Sequence, residues 1–267
     1  SQVPEFIPTG QDNEKEYWMP GIWDDVNLLY TGAQTIVRSK VETDISTGIA
    51  TIKNTIKNNS DNSVTLEVVN SLREWQANTS ASTASSTSLS LAAGETKTIQ
   101  QEVSVTDMTL WTLDAPFLYV ADTSIKVANV VIDDQATRFG FRSVKWKGGD
   151  ERGFYLNGEK TYLRGSNFSL GRFFEDPNAG TLAWNEAWVR KLYTSYPKDY
   201  HWNLFRTSLG RMPNFWYDIA DEEGFLIDDE FAYWTLMGKM KDTDTHKFDQ
   251  AHLEWSMVEL EKEYLKK

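Results

Sequence analysis

Apolar and polar positions change rhythm along this chain near residue 144. Upstream, short segments alternate apolar and polar residues over 33–38, 49–57, 64–70, 83–91 and 96–105, with one or two more between 118 and 132. Turn residues punctuate them: Asn58-Asn59-Ser60-Asp61-Asn62 after the second segment and the hairpin turn Ala92-Ala93-Gly94-Glu95 after the fourth. A period of two sends successive side chains to opposite faces of a strand. About seven such strands without helical periodicity predict an antiparallel β-sandwich. Residues 78–90 are almost all Ser, Thr, Ala and Asn, a composition that also suits a linker. The alternation into Leu89 and Leu91 ahead of the Gly94 turn predicts an exposed strand there.

Downstream the pattern becomes strand then helix. A short apolar strand at 161–164 opens into Gly165-Ser166-Asn167, and Trp184, Trp188, Leu192 and Tyr196 recur every four residues as one face of a helix. A second strand follows at 202–206. Pro213 suits a helix start, the helix runs over 215–222, and Gly224 ends it. The third strand is 225–228, and Phe248, Ala251, Trp255 and Val258 mark a third amphipathic helix. Three strand–helix units in succession predict parallel strands joined by right-handed crossovers, as at the opening of a barrel or doubly wound sheet. Arg206, Thr207 and Ser208, then Asp228, Asp229 and Glu230, fall at the carboxyl ends of the second and third strands. That edge is where α/β sheets build substrate sites, and an Arg converging with an acidic pair suits a polar, neutral ligand such as a sugar.

Composition narrows the classes. The 267 residues allow one large or two ordinary domains. A net charge of −12, from 27 basic and 39 acidic residues, argues against nucleic-acid or anionic-membrane partners, which need a basic face. No apolar run is long enough to span a bilayer. The 11 Trp, 11 Tyr and 13 Phe are expected mainly in cores, although flat rings also stack on sugar faces. Cys is absent, so disulfide and thiol chemistry are excluded. His246 and His252 share a predicted helix at a spacing of six, which does not place two ligands on one face, so neither metal nor cofactor is expected.

Six ordered motifs carry a family resemblance. Gly21-Ile22-Trp23-Asp24-Asp25-Val26 is similar to the GIWRDV-like strand closing the first domain of family 2 glycoside hydrolases, the β-galactosidase, β-glucuronidase and β-mannosidase group. The run from Leu110 to Tyr119 resembles the LWSPDxPxLY segment of that family's immunoglobulin-like domain, and Arg138-Phe139-Gly140-Phe141-Arg142 resembles the exit from it. Phe154-Tyr155-Leu156-Asn157-Gly158-Glu159, followed by Leu163-Arg164-Gly165-Ser166-Asn167, is similar to FxLNGxxxxLRGxN, the first barrel strand. The segments 203–208 and 217–230 resemble NxxRTSH and YDLADExGLLVxDE.

The resemblance implies a multidomain β plus α/β chain. Residues 1–26 would be the tail of a sugar-binding jelly roll and 27–143 an immunoglobulin-like antiparallel β-sandwich. Residues 144–267 would be the first three β-α units of a TIM (β/α)8 barrel. A full barrel takes about 250 residues and about 120 follow residue 144. The implied activity is retaining hydrolysis of β-glycosides by two carboxyls about 5–5.5 Å apart. Both catalytic Glu are expected beyond Lys267, so the chain alone is expected to be inactive. Truncation after the third unit would leave a sheet edge open to self-association, or a loosely ordered last helix. Export to the periplasm or medium is the expected location.

The resemblance also supplies candidate site residues. Arg206 matches an Arg that supports the nucleophile through a charge-assisted hydrogen bond, against a purely structural role bridging strands. Asn167 matches the Asn of RGxN near the sugar, or simply turns a loop. Asp229 and Glu230 match the DE after the third strand, as acceptors of sugar hydroxyls or as internal partners of Arg206 or Arg164. Asp228 is expected to face away from Asp229. Trp234 could floor a subsite or fill a core. Two departures bear on the sugar: Leu209 replaces the His of RTSH, and Ser169 or Leu170 stands where another family His follows RGxN. The segment Arg172-Phe173-Phe174-Glu175-Asp176-Pro177 reads as an inserted loop over the pocket, and the run Asp221-Glu222-Glu223 as a solvated surface. The alternative function is a non-catalytic carbohydrate-binding or spacer module.

Overall fold

The structure, a computed structural model, describes residues 24–208 and 211–230. The described chain forms two compact units, one of residues 27–162 and one containing 163–230 with the short stretch 24–26.

The first unit is a β-sandwich. Its strands are β1 (Gln34–Asp44), β2 (Ile49–Asn58), β3 (Val64–Glu74), β4 (Ser85–Leu91), β5 (Thr96–Ser104), β6 (Tyr119–Val127) and β7 (Val130–Phe139). One sheet has the order β1-β2-β5 and the other β4-β3-β6-β7, all neighbours antiparallel. The stretch beyond 118 becomes two strands because Ala128 and Asn129 both adopt positive φ (49° and 65°), the backbone of a tight hairpin turn. Positions of period two fill the space between the sheets. Ala50 and Ile52, Leu72, Val103, Tyr119 and Ala121 join one apolar cluster, while Ile56, Leu66, Val68 and Ile125 join another.

Between those clusters four strands turn polar at one level. Asn54 on β2, Asn70 on β3, Gln101 on β5 and Thr123 on β6 are all buried. Asn54 Nδ2 donates to Asn70 Oδ1 at 3.1 Å, Asn70 Nδ2 to Gln101 Oε1 at 2.7 Å, and Thr123 Oγ1 to Asn70 Oδ1 at 2.6 Å. Polar groups so deep are tolerated only when mutually bonded, and this layer bonds one sheet to the other.

Two of the segments quoted above meet in space. The Trp111 amide donates to the Phe141 carbonyl at 2.9 Å, and the Arg142 guanidinium lies 4.5 Å from the Trp111 ring centroid. A Cβ on Gly140 would stand 2.7 Å from Trp111 Cβ, so the close approach of that indole requires glycine. A small antiparallel sheet follows, of β8 (Val144–Lys147), β9 (Gly153–Leu156) and β10 (Glu159–Thr161). Asn157 and Gly158 turn β9 into β10 with φ of 52° and 86°, so the Phe154 segment is a hairpin and not part of a barrel strand. Asn157 Nδ2 also donates to the Trp111 carbonyl at 2.9 Å.

The second unit holds three parallel strands, β11 (Gly165–Phe168), β12 (Leu204–Thr207) and β13 (Leu226–Asp229), in that order. Helices α1 (Leu170–Glu175), α2 (Glu186–Thr194) and α3 (Tyr196–Tyr200) lie between the first two strands in sequence, and α4 (Asn214–Glu223) between the last two. The first parallel strand thus falls four residues later than expected, on Gly165 rather than Thr161. A Cβ at Gly165 would stand 1.6 Å from the Leu204 carbonyl oxygen, so only glycine admits this approach of β11 to β12. The helix expected to run through Tyr196 breaks at Ser195, because Pro197 cannot continue the hydrogen-bond ladder and opens α3 instead. Gly224 ends α4 in the left-handed conformation, φ 72°, its amide donating to Ala220.

Residues 170–175 are helical, so the expected inserted loop is a correction. Phe173 packs edge-on against Trp188 and Trp216 and belongs to the core. That core is aromatic, with Phe205, Trp216, Tyr193 and Phe225 buried between strands and helices. The acidic run at the end of α4 is also not simply solvated. Arg190 of α2 bonds Glu222 and Glu223 at 2.8 Å each and fastens α2 to α4. The third predicted helix, over 248–258, lies outside the described residues, as does most of 1–26.

Candidate functional site

The parallel register decides which side chains share a face. Asn167, Arg206 and Asp228 stand level across β11, β12 and β13, and one residue on, Phe168, Thr207 and Asp229 stand level on the opposite face. Phe205 and Thr207 are buried on the helix-covered side, whereas Asn167 and Asp228 are exposed. The parallel sheet therefore has an apolar side against α2 and α4 and a polar side carrying Asn167, Arg206 and Asp228. Asp228 and Asp229 point to opposite sides.

Glu230, the residue after β13, returns to the polar side. Arg206 Nη2 lies 2.9 Å from Glu230 Oε2, with the Glu230 side chain 11% exposed and that of Arg206 38%. The Glu230 amide donates to the Thr207 carbonyl at 3.1 Å, which extends the β12–β13 pairing by one rung and places the carboxylate opposite the guanidinium.

Asp229 faces the other way. Its Oδ1 accepts from Thr207 Oγ1 at 2.6 Å and from the Tyr217 hydroxyl of α4 at 2.7 Å. Arg211 Nε lies 3.9 Å from Asp229 Oδ2, and the Arg211 guanidinium carbon sits 4.9 Å from the Tyr217 ring centroid. The Tyr217 hydroxyl accepts from the Met212 amide at 3.3 Å. Burial, reinforced by the neighbouring Asp229 carboxylate, pushes the Tyr217 phenol well above its ordinary 10.0, so it stays protonated and donates.

The structure thus brings Arg206 and Glu230 together with Asn167 level beside them. It separates Asp229 from that group, seating it with Thr207, Tyr217 and Arg211. Trp234 and Leu209 lie outside the described residues. Tyr217 was not singled out by the sequence reading, and Thr207 was named only among the polar residues at the carboxyl end of the second strand. Their signal was present: a Thr one residue after the site Arg, and a Tyr among the otherwise core-facing positions of α4. Among the described residues no three His, Asp or Glu side chains gather as metal ligands. No described helix is long and apolar enough to cross a membrane.

Comparison with known proteins agrees with this architecture. The family model described as Glycosyl hydrolases family 2 matches residues 33–142. A putative β-glucuronidase of Formosa agariphila is 40% identical over 126 residues, 47% of this chain and 11% of that protein. A β-galactosidase of Thermoanaerobacterium thermosulfurigenes is 33% identical over 132 residues, 49% of this chain and 17% of that protein. The chain therefore spans under a fifth of the length of these curated relatives. Among solved structures, a Bacteroides uniformis β-glucuronidase superposes with a TM-score of 0.60 at 21% identity, covering 74% of this chain and 24% of that one. An exo-chitosanase of Amycolatopsis orientalis does so with a TM-score of 0.59 at 25% identity, covering 74% and 22%. The same fold thus occurs in proteins named for different sugars. Residues 33–142 of this chain are thus similar to glycosyl hydrolases family 2.

Proposed function

We propose that this chain forms part of a retaining glycosidase acting on β-linked glycosides. In this reading 1–26 end a sugar-binding jelly roll, 27–143 are an immunoglobulin-like domain, and 144–267 begin a (β/α)8 catalytic barrel. Arg206, Asn167 and Glu230 line its sugar site, and Trp234 belongs to the same site. In this reading the chain alone does not hydrolyse glycosides. Its natural location is the periplasm or the medium. In this reading copies of the chain pair with one another through the edge strand β13.

One observation carries this reading. At the carboxyl edge of a parallel sheet, Arg206 is anchored by Glu230 at 2.9 Å while remaining accessible to water. A guanidinium is a rigid planar fork of five donors, so holding one end orients the others toward a ligand or a neighbouring carboxylate. Proteins similar to about half of this chain are named β-glucuronidase and β-galactosidase.

Two measurements on the 267-residue chain test it. Aryl β-glucuronides and aryl β-galactosides are expected to show no turnover, and turnover above a blank overturns the claim of inactivity. Free glucuronate or galactose is expected to shift the NMR resonances of Asn167, Arg206 and Glu230 at millimolar concentration. The response should be lost in Arg206→Gln. Equal shifts in wild type and variant would overturn the site assignment.

A further inference from the structure

The two acidic residues after the third parallel strand do different jobs, although they are adjacent in sequence. We propose that Asp229, Thr207 and Tyr217 are positioning residues: a buried clamp on the helix-covered side of the sheet that sets the geometry of Arg206 and Glu230 on the polar side. This rests on the reading of Arg206 and Glu230 as a sugar site, and it adds that Asp229 touches no sugar.

The argument follows the covalent neighbours. Arg206 precedes Thr207, and Glu230 follows Asp229. Thr207 and Asp229 are register partners, and their side chains are joined by a hydrogen bond of 2.6 Å. Both are withdrawn from water: Thr207 is buried, and the Asp229 side chain is 21% exposed. A carboxylate held by neutral donors bonds more tightly than a neutral acceptor would, and does so more strongly away from water. The Glu230 amide donates to the Thr207 carbonyl at 3.1 Å and approaches the Thr207 hydroxyl at 3.3 Å, so the same Thr holds both ends of the clamp. Strand geometry does the rest, since alternate residues face opposite sides. Fixing 207 against 229 fixes 206 against 230.

Tyr217 adds a third anchor. Its hydroxyl donates to Asp229 Oδ1 and accepts from the Met212 amide, at the end of the connection leaving β12. The phenol therefore joins α4, the end of β13 and the exit of the β12–α4 connection at one oxygen atom. Tyr217→Phe removes that atom and nothing else. A side chain that merely filled the core would not notice the loss.

The test is local hydrogen exchange on the 267-residue chain, with the sandwich amides of Ile52 and Val68 as internal reference. Thr207→Val, Tyr217→Phe and Asp229→Asn are each expected to speed exchange of the Glu230 amide and the Arg206 Nε–H at least tenfold, with the reference amides unmoved. Thr207→Ser, which keeps the hydroxyl, should restore protection. Unchanged exchange at Glu230 and Arg206 in Tyr217→Phe overturns the proposal, as does Thr207→Ser behaving like Thr207→Val. If Asp229→Asn unfolds the strand–helix unit, Tyr217→Phe decides alone. Glucuronate and galactose shifts recorded on the same samples separate the two readings. Faster exchange in the variants, without any sugar response in the unsubstituted chain, leaves the clamp standing and removes the sugar site.

Discussion

Arg206 and Glu230 face each other across the ends of two parallel strands, Nη2 to Oε2 at 2.9 Å, with the acid nearly buried and the base half in water. The asymmetry governs what each substitution does. Removing Arg206 takes the facing cation from a carboxylate that is poorly solvated, whereas removing Glu230 leaves a guanidinium that water still reaches. Arg206→Gln is expected to lower the stability of the strand–helix unit by about 1–2 kcal/mol and Glu230→Gln by less than about 1 kcal/mol. Urea unfolding followed by Trp fluorescence checks the order, and an equal or reversed order would refute it.

Tyr193 offers the opposite case. Its hydroxyl is buried with no hydrogen-bond partner among the described residues, so the oxygen costs desolvation without return. Tyr193→Phe is expected to be neutral or to stabilise by up to about 1 kcal/mol. A loss above that in the same urea experiment would mean the hydroxyl is bonded after all.

Alkaline pH should weaken the same unit. Burial is the first cause that raises the phenols of Tyr193 and Tyr217 above 10.0 in the folded chain, followed by Tyr217 and then Asp229 at Tyr193, and by Asp229 at Tyr217. A raised folded value means that stability is fully present below pH 10, where the unfolded phenol also keeps its proton. It is lost as pH climbs above 10. The urea midpoint is therefore expected to be level from pH 7 to 9 and to fall from pH 10 to 11. Tyr193→Phe should blunt the fall. A midpoint independent of pH up to 11 would contradict this.

Gly165→Ala should be among the most damaging single changes in the chain. The added methyl would enter the Leu204 carbonyl oxygen at 1.6 Å, and backbone on both sides leaves nothing flexible to yield. A loss of roughly 4 kcal/mol or more is expected, the size associated with overpacking and strain. Circular dichroism and limited proteolysis would show the strand–helix unit opened while the sandwich persists. A well-folded variant would refute the close approach of β11 and β12.

In the sandwich, Asn70 is the hub of the buried polar layer, since Asn54 and Thr123 donate to it and it donates to Gln101. Asn70→Ala takes a partner from three buried groups at once, leaving the Thr123 hydroxyl only its 3.4 Å bond to Asn54 Oδ1, and is expected to cost about 3 kcal/mol. Thermal unfolding of that unit measures it, and a shift within error of wild type would show that the layer contributes nothing.

Much of this architecture can be read from the chain. Period-two alternation, the Gly94 turn and the Pro213 and Gly224 helix boundaries are local properties, so they place the sandwich strands and α4 without knowledge of the fold. The segments at 110–119 and 138–142 point to the family for the same reason, as their Trp, Gly and Arg are needed for one packing contact. Strand registers are not local. Whether the first parallel strand begins at Thr161 or Gly165 depends on which residue tolerates the Leu204 carbonyl, a contact across 39 positions of sequence. The division of labour between Asp229 and Glu230 is of the same kind. The two letters are nearly interchangeable in a sequence, but a one-residue step along a strand reverses the side chain, giving Tyr217 to one and Arg206 to the other. Chemistry that depends on facing direction is set by register and helix placement, and those follow only when the distant parts have packed.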